Sequence, residues 1–331
     1  MVGFILMLIK KTVRIFTLLI ITFFLIGILL RNPIFVFSKN ENLNSISSPD
    51  LLKKHVQHIV NVSPFRNYAN SDSLDKVAEY IKMEFEKNCA AVSFQNYEVD
   101  GKMYKNVICS FGGQYRKKII IGAHYDVAAD QDGADDNASG VAGIIELTRI
   151  IKENNIQPAH DLEIVAYTLE EPPYFSGLNM GSYIHAKSLN DKNDSIAFML
   201  SVEMIGYYSD KWWSQNYPSQ ILYAFYPLKG NFIALIGGIK EYWNSRKLKT
   251  SLAQSMNTPL YGLNAPDIVP GIDFSDHRNY WKFGYNAYMI TDTSFYRNSN
   301  YHKATDTIDT LNYEIMADIV QGLHGLAISK Y

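Results

Sequence analysis

From about residue 48 onward, the chain alternates short apolar runs with amphipathic segments, and this alternation restricts the fold more than any other feature. Residues 71–87 place apolar side chains at the spacing of one helix face, whereas residues 119–123 form an unbroken apolar run. Such a run is typical of a strand buried on both faces of a sheet. The alternation predicts an α/β fold: a single domain with a mixed, mostly parallel twisted sheet and helices on both faces.

The same patterns predict individual elements along the domain. Strands are expected at residues 92–97, 104–111, 118–123, 162–169, 196–202, 221–225 and 287–291. Helices are expected at residues 51–60, 71–87, 141–152, 181–189, 232–243 and 313–328.

The first 38 residues have a different composition. Lys10, Lys11 and Arg14 precede an apolar run over residues 15–30. A spanning helix needs about 20 apolar residues, and a signal-peptide core is shorter. We expect an uncleaved signal anchor, with a cleaved signal peptide as the alternative and a buried core helix as a third reading.

This reading of the N-terminus predicts how the chain is organised. A short linker to about residue 47 would join the membrane segment to one domain, residues 48–331. The basic flank should stay in the cytoplasm. The domain would then be extracytoplasmic and membrane-anchored, or secreted or periplasmic if the segment is cleaved.

Charge and cysteine content exclude some functions. The formal net charge of −2 offers no electrostatic basis for binding nucleic acid. The two cysteines, Cys89 and Cys109, form no CxxC pair. We expect two buried thiols, and one disulfide is the alternative for an oxidising compartment.

Histidine and carboxylate side chains follow successive predicted strands. They are His124, Asp126, Asp136, Glu170, Glu171, Glu203 and His302. Ligands of open α/β sheets bind beyond the carboxyl ends of the strands, and imidazole and carboxylate are normal zinc ligands. The sequence therefore predicts a metal site at this edge, where two ions could share one carboxylate.

Two local spacings refine this prediction. Asp126 lies two residues beyond His124, where it could accept the second imidazole N–H and orient the ring. Glu170 and Glu171 are adjacent, and neighbouring side chains of extended chain point in opposite directions. One can therefore bind metal while the other acts as a general base.

These segments resemble metallopeptidase family 28, which contains co-catalytic zinc aminopeptidases, glutamate carboxypeptidases and glutaminyl cyclases. The resemblance extends over nearly everything from about residue 48. The motifs that carry it are Gly122 to Asp126, Asp135 to Gly140, Glu170-Glu171, Ser275-Asp276-His277, Arg297-Asn298, Tyr301-His302 and Asp306-Thr307.

The resemblance implies a zinc exopeptidase-like fold, of the phosphorylase/hydrolase-like kind, and a ligand set for two zinc ions. His124 and His302 would each bind one ion and Asp136 would bridge them. Glu171 would be a further ligand. The fifth ligand position, usually an aspartate, is held here by Glu203, which leaves a single-metal enzyme open.

The resemblance also implies residues that act on the substrate. Glu170 would be the general acid and base, and Tyr301 would hydrogen-bond the oxyanion. Asp276 and His277 are expected to help shape the substrate pocket. Trp212, Trp213 and Tyr217 would form a pocket wall or lid, or pack against the core.

The expected function is a zinc-dependent exopeptidase, an aminopeptidase acting on the N-terminal residues of a peptide substrate. A single-zinc enzyme similar to glutaminyl-peptide cyclases is the first alternative. A non-catalytic, peptidase-like ectodomain is the second.

Overall fold

A computed structural model describes residues 2–34, 36, 46–113, 115–155 and 157–329. Most of the linker expected before residue 48 lies outside these residues. The helices are α1 (Val2–Arg31), α2 (Pro49–Val60), α3 (Ser71–Glu86), α4 (Gly140–Glu153), α5 (Gly181–Asp191), α6 (Tyr242–Ser255), α7 (His277–Trp281) and α8 (Tyr313–Ala327). The strands are β1 (Ala91–Val99), β2 (Lys102–Phe111), β3 (Tyr115–His124), β4 (His160–Tyr167), β5 (Ile196–Glu203), β6 (Ile233–Gly237), β7 (Leu260–Asn264) and β8 (Ala287–Thr291).

The eight strands form one mixed sheet in the order β1-β2-β4-β3-β5-β8-β6-β7. The central strands β4, β3, β5 and β8 pair in parallel, as do β6 and β7. The remaining pairs, β1 with β2, β2 with β4 and β6 with β8, are antiparallel. This is the mixed, mostly parallel sheet that the sequence predicts.

Both faces of the sheet are covered by helices, which explains why its central strands are apolar throughout. Along β3, Ile119 and Ile121 pack into the larger core with helices α2, α3, α4, α6 and α8. Ile120 points to the other face, where it packs with residues of α5 and α7. Because both faces exclude water, consecutive side chains of β3 are buried. The predicted fold class is confirmed.

Two predicted elements near the middle of the domain are wrong. Residues 221–225, expected as a strand, form a short 3-10 helix, Gln220–Ala224. Residues 232–243, expected as one helix, contain strand β6, and α6 begins only at Tyr242. Strand β6 is an inner strand, so its apolar run is buried on both faces and has no alternation that would separate it from a buried helix.

The expectation of two buried thiols is also wrong. Cys89 follows α3 and is joined by a disulfide to Cys109 near the end of β2. The backbone N–H of Ala90 donates to the carbonyl of Ser110, so pairing of β1 with β2 brings the two cysteines together. The sequence left the disulfide as an alternative only, because strand register is not local information.

The N-terminal apolar run lies within α1, a helix of 30 residues. Its segment Phe4–Arg31 is long and apolar enough to cross a membrane, with a mean hydropathy of 2.7. Most of its large side chains are exposed, so it is not a core helix of the domain.

Candidate functional site

The parallel strands β3, β4 and β5 end at the same edge of the sheet, and each delivers acidic or imidazole groups there. His124 is the last residue of β3 and Glu203 the last of β5. Glu170 and Glu171 follow β4 after a two-residue turn, and Asp136 lies in the irregular turn before α4. All five side chains are buried. The edge of the sheet thus gathers groups that lie far apart in the chain.

Asp136 lies between two histidines. Its Oδ1 is 3.5 Å from Nε2 of His124 and its Oδ2 is 3.2 Å from Nε2 of His302. Glu203 Oε2 lies 3.4 Å from the first imidazole nitrogen and Glu171 Oε2 lies 3.2 Å from the second. Three groups of three potential ligands, each with its ligand atoms within 4.8 Å of one another, lie here. Two of them share the Asp136 carboxylate, and the third joins His124 to Glu170 and Glu171.

The charge of this cluster suits bound cations. Several carboxylates are buried around two imidazoles, and burying carboxylates is costly unless a positive charge or hydrogen-bond donors compensate. Glu171 Oε1 is buried and accepts no hydrogen bond from the residues that the structure describes. Nitrogen and oxygen donors of this kind are typical zinc ligands. The residues therefore fit a metal centre.

The turn that carries Asp136 is held from several sides. The carboxylate of Asp306 accepts the backbone N–H groups of Asp135 and Asp136, at 2.9 and 3.0 Å. The side chain of Asn137 donates to the carbonyl of Val202, next to Glu203. These bonds hold the central carboxylate at a constant position relative to β5.

Asp126 and Ser275 orient other members of the cluster. The Asp126 carboxylate accepts the backbone N–H groups of both Glu170 and Glu171, at 3.1 Å each. Its carboxylate lies 3.7 Å from Nδ1 of His124, and its backbone carbonyl is nearer, at 3.2 Å. The hydroxyl of Ser275 donates to Glu203 Oε2 over 2.7 Å.

Burial and mutual repulsion shift the acid–base properties of these groups. Burial raises the pKa of Glu171 to about 7, and neighbouring Asp136 adds to the shift. Burial also raises the pKa of Glu170 well above its ordinary value, although His124 opposes this. Burial lowers the pKa of His302, but the contacts with Asp136 and Glu171 outweigh it and raise that pKa to about 10. In the protein without metal, protons therefore neutralise part of the cluster.

A cavity of about 240 Å³ opens beside the cluster. Asp136, Glu170, Glu171, Glu203 and His302 line its polar end. The rest of its wall is apolar and aromatic, including Leu222, Tyr226, Phe232, Tyr261, Ile272 and Met289. The cavity can therefore hold a ligand with one polar end at the carboxylates and an apolar part beyond them.

Tyr301 belongs to the polar end of this cavity. Its ring stacks on that of His302 with the centroids 3.8 Å apart. Burial and the surrounding carboxylates raise the pKa of its phenol, so the hydroxyl remains a hydrogen-bond donor.

Four other expected pocket residues lie elsewhere. Asp276 and His277 are fully buried and do not line the cavity. Asp276 lies behind the cluster, where burial raises its pKa to about 7. Trp212 and Trp213 are 69% and 70% exposed, so they neither line the cavity nor pack into the core. Tyr217 does line the cavity.

One positioning residue was missed by sequence reasoning. Arg66 is buried, and its guanidinium donates to the carbonyls of Tyr125 and Gly133, at 2.8 and 2.7 Å. It thereby links the segment after His124 to the turn before Asp136. A lone arginine between two helices gives no local signal of this role.

Comparison with known proteins places the site in context. The model of peptidase family M28 matches residues 106–327. The uncharacterized protein YfbL of Escherichia coli K12 is 43% identical over 285 residues, covering 84% of this chain and 87% of that protein. Leucine aminopeptidase 1 of Ajellomyces dermatitidis is 24% identical, and the alignment covers 82% of this chain and 69% of the aminopeptidase.

Solved structures share the fold of this chain. The LapA aminopeptidase of Legionella pneumophila superposes with a TM-score of 0.66 at 20% identity, covering 85% of this chain and 71% of its own. Glutaminyl cyclases are also among the similar structures. The family model extends over two thirds of the sequence and over the whole carboxylate cluster, so the chain belongs to peptidase family M28.

Proposed function

We propose that this chain is a zinc-dependent aminopeptidase, anchored to a membrane by α1. The observation that carries the proposal is Asp136, which lies between His124 and His302 and completes two three-ligand groups with Glu203 and Glu171. Each group would hold one zinc ion. The length of Glu203 is no obstacle, because its carboxylate already lies beside His124 and accepts the hydroxyl of Ser275.

Zinc, when bound, supplies the positive charge that polarises a water molecule and the substrate carbonyl. Glu170 lines the cavity next to the metal ligands and is the general base that takes a proton from the attacking water. It then returns that proton to the leaving amine. The Asp126 carboxylate accepts the backbone N–H groups of Glu170 and Glu171 and so fixes the position of the general base, Glu170, relative to the metal ligand, Glu171.

Tyr301 would stabilise the negative charge that develops on the carbonyl oxygen. Its phenol stays protonated and lies in the same cavity wall. The apolar part of the cavity, with Leu222, Phe232, Ile272 and Met289, would receive the side chain of the N-terminal residue. We therefore expect large apolar residues to be removed faster than acidic ones.

The helix α1 and the disulfide both support a location of the domain outside the cytoplasm. Lys10, Lys11 and Arg14 precede the charge-free part of α1, so the domain would lie outside the cytoplasm. The Cys89–Cys109 disulfide supports an oxidising compartment. Release as a secreted or periplasmic domain after cleavage is the alternative.

A glutaminyl cyclase is the second candidate, because enzymes with that activity share the fold. A cyclase of the kind expected from the sequence needs only one metal. The group around His124 is an argument for the aminopeptidase, since its three donor atoms, like those around His302, lie within 4.8 Å of one another.

The test combines metal content with activity. Full-length protein in detergent would be assayed for zinc and for hydrolysis of leucyl-, phenylalanyl- and glutamyl-p-nitroanilide, beside Glu170→Gln. Glu98→Gln, an exposed site on β1, is the matched control. We expect two zinc ions in all three proteins and a loss of roughly 10²-fold or more only in Glu170→Gln.

Other outcomes would contradict the proposal. One zinc ion with cyclisation of an N-terminal glutamine peptide would establish the cyclase. A folded protein that binds no zinc would leave a non-catalytic, peptidase-like ectodomain. Equal activity of Glu170→Gln and wild type would remove Glu170 from the mechanism.

A further inference from the structure

The last turns of α1 are bound to the catalytic domain. Gly27 is buried although most large side chains of α1 are exposed, because the ring of Phe225 packs directly on it. A β-carbon at Gly27 would lie 2.3 Å from that ring. The same ring lies 4.7 Å, between centroids, from that of Phe23. The contact therefore extends over about one turn of the helix, from Phe23 to Gly27.

The domain also supplies partners for the carbonyls at the end of α1, which the helix itself leaves without donors. The Tyr226 hydroxyl lies 2.9 Å from the carbonyl of Leu30 and 2.7 Å from that of Gly262, and these two carbonyls share its one proton. The ammonium of Lys249 donates to the carbonyl of Arg31 over 2.9 Å and also to that of Asn32. Lys249 is only 2% exposed, and burial lowers its pKa to about 8.

Asn32 closes the contact from the other side. It is fully buried, and its side-chain amide donates to the carbonyl of Tyr242 and to the hydroxyl of Ser245, at 2.8 and 2.9 Å. The guanidinium of Arg31 lies over the ring of Tyr261, 5.1 Å from its centroid. Without residues 31 and 32, Lys249 would lose the two carbonyls to which it donates. The end of α1 is thus part of the folded domain.

These contacts set the height of the domain above a bilayer. A helix rises 1.5 Å per residue, so Gly27 lies about 6 Å and Phe23 about 12 Å below Arg31 along α1. The charge-free part of α1, residues 15–30, is about 24 Å long, and a hydrocarbon core is about 30 Å thick. Arg31 must therefore lie close to the membrane boundary, and the ring of Phe225 lies below that level.

Exposed apolar side chains surround this contact. Ile221 belongs to the same 3-10 turn that precedes Phe225, and Trp213 lies against Tyr223 of that turn. Ile239 and Trp243 flank Tyr242, which binds Asn32, and Trp243 is 75% exposed. Tryptophan favours the boundary between lipid and water.

Cations lie beside these apolar groups. Arg246 and Lys247 follow Trp243 on α6, and Arg246 Nη1 lies 3.4 Å from Asn32 Oδ1. Basic side chains at this level attract anionic headgroups. The combination of indole rings, aliphatic side chains and cations around a spanning helix matches a lipid surface.

We propose that the surface formed by Trp213, Ile221, Phe225, Ile239 and Trp243, here called the membrane-facing surface, rests on the bilayer into which α1 inserts. The proposal rests on the membrane anchoring proposed above. It places the cavity at the lipid boundary, since Tyr226 and Tyr261 line the cavity and also contact the end of α1. The anchor is then a positioning element as well as a tether.

Tryptophan quenching by brominated lipids tests the proposal. Full-length protein would be reconstituted into vesicles of phosphatidylcholine and phosphatidylglycerol, in three versions that each keep one tryptophan and carry phenylalanine at the other three positions. The retained residues are Trp213, Trp243 and Trp281, the last of which packs against the core on α7. We expect quenching of Trp213 and Trp243 to be at least about twofold stronger than that of Trp281.

A second pair of variants, made with all tryptophans present, tests the role of the docked helix. Gly27→Leu keeps α1 apolar but removes the space for Phe225, so quenching should fall by about half. Thr17→Leu, on the exposed part of α1, is the matched control and should leave quenching unchanged. Both variants should float with the vesicles.

Failure of the membrane anchoring and failure of the membrane-facing surface give different results. Protein that does not float would refute the anchoring itself. Flotation with equal quenching of all three tryptophans would overturn the membrane-facing surface. Quenching unaffected by Gly27→Leu would show that the docked end of α1 does not set the position of the domain. None of these readouts depends on peptidase activity.

Discussion

Replacing Ser275 should weaken one metal site and spare the other. The Ser275 hydroxyl is fully buried and donates to Glu203 Oε2 over 2.7 Å. Ser201 lies 2.7 Å from the same hydroxyl, so a short chain of hydroxyl groups ends on the carboxylate. Glu203 belongs to the ligand group of His124 and not to that of His302. Ser275→Ala should therefore act on the first group alone.

The magnitude follows from the type of hydrogen bond. A bond to a charged acceptor contributes about 1.5–3 kcal/mol, and about 1.4 kcal/mol corresponds to tenfold in a dissociation constant. Removing a partner that orients a metal ligand typically costs about 10–100-fold in affinity. We expect the zinc site that contains His124 to lose affinity by about that factor.

Competition with a chromophoric chelator would measure both zinc dissociation constants. Ser188→Ala is the matched control, because Ser188 donates to a helix carbonyl far from the cluster. Its two constants should equal those of the wild type. A similar rise in both constants of Ser275→Ala, or no rise in either, would refute the assignment of Glu203 to the His124 group.

Three further predictions follow from other contacts. In Asp306→Asn, the side chain can accept only one of the two backbone N–H groups, of Asp135 and Asp136, that Asp306 accepts. Both zinc dissociation constants should therefore rise by about tenfold in the same chelator titration. An effect on one constant only would contradict the proposal that Asp136 serves both zinc ions. Cys89→Ala with Cys109→Ala opens a loop between residues 20 apart, which should lower the free energy of unfolding by about 3 kcal/mol in denaturant titrations, while a reducing agent should affect the wild type alone. Burial lowers the pKa of His324 to about 4, so as pH falls below 6.5 the unfolded chain takes up a proton that the folded chain refuses, and stability falls until about pH 4. Between pH 7.5 and pH 5, the free energy of unfolding of His324→Leu should therefore rise by about 2 kcal/mol relative to that of the wild type in the same denaturant titrations. A difference between the two proteins that does not change with pH would show that His324 is not buried in its neutral form.

Local pattern was enough to predict the fold class and the edge of the sheet that carries the cluster. A run such as residues 119–123 is apolar because both faces of a central parallel strand are covered, and that requirement is visible in the run itself. Parallel strands end at a common edge, so the residues that follow them can be grouped without coordinates. The family resemblance then assigned expected roles to those residues.

Tertiary structure decided what depends on distant parts of the chain. Residues 232–243 were predicted as a helix because a short apolar run has no periodicity that separates a strand from a buried helix. Residues 233–237 form strand β6 because β7 and β8 pair with it on either side. The disulfide of Cys89 depends on the register of β1 and β2.

The attachment of α1 to the domain was equally hidden from the sequence. Lys249 is one of many lysines by sequence, and only the fold buries it beneath the end of α1. Composition determines that α1 can enter a membrane, because apolar length is a local property. Where the domain sits on that helix was decided only by the folded chain, because packing and hydrogen bonding join residues that are more than two hundred positions apart.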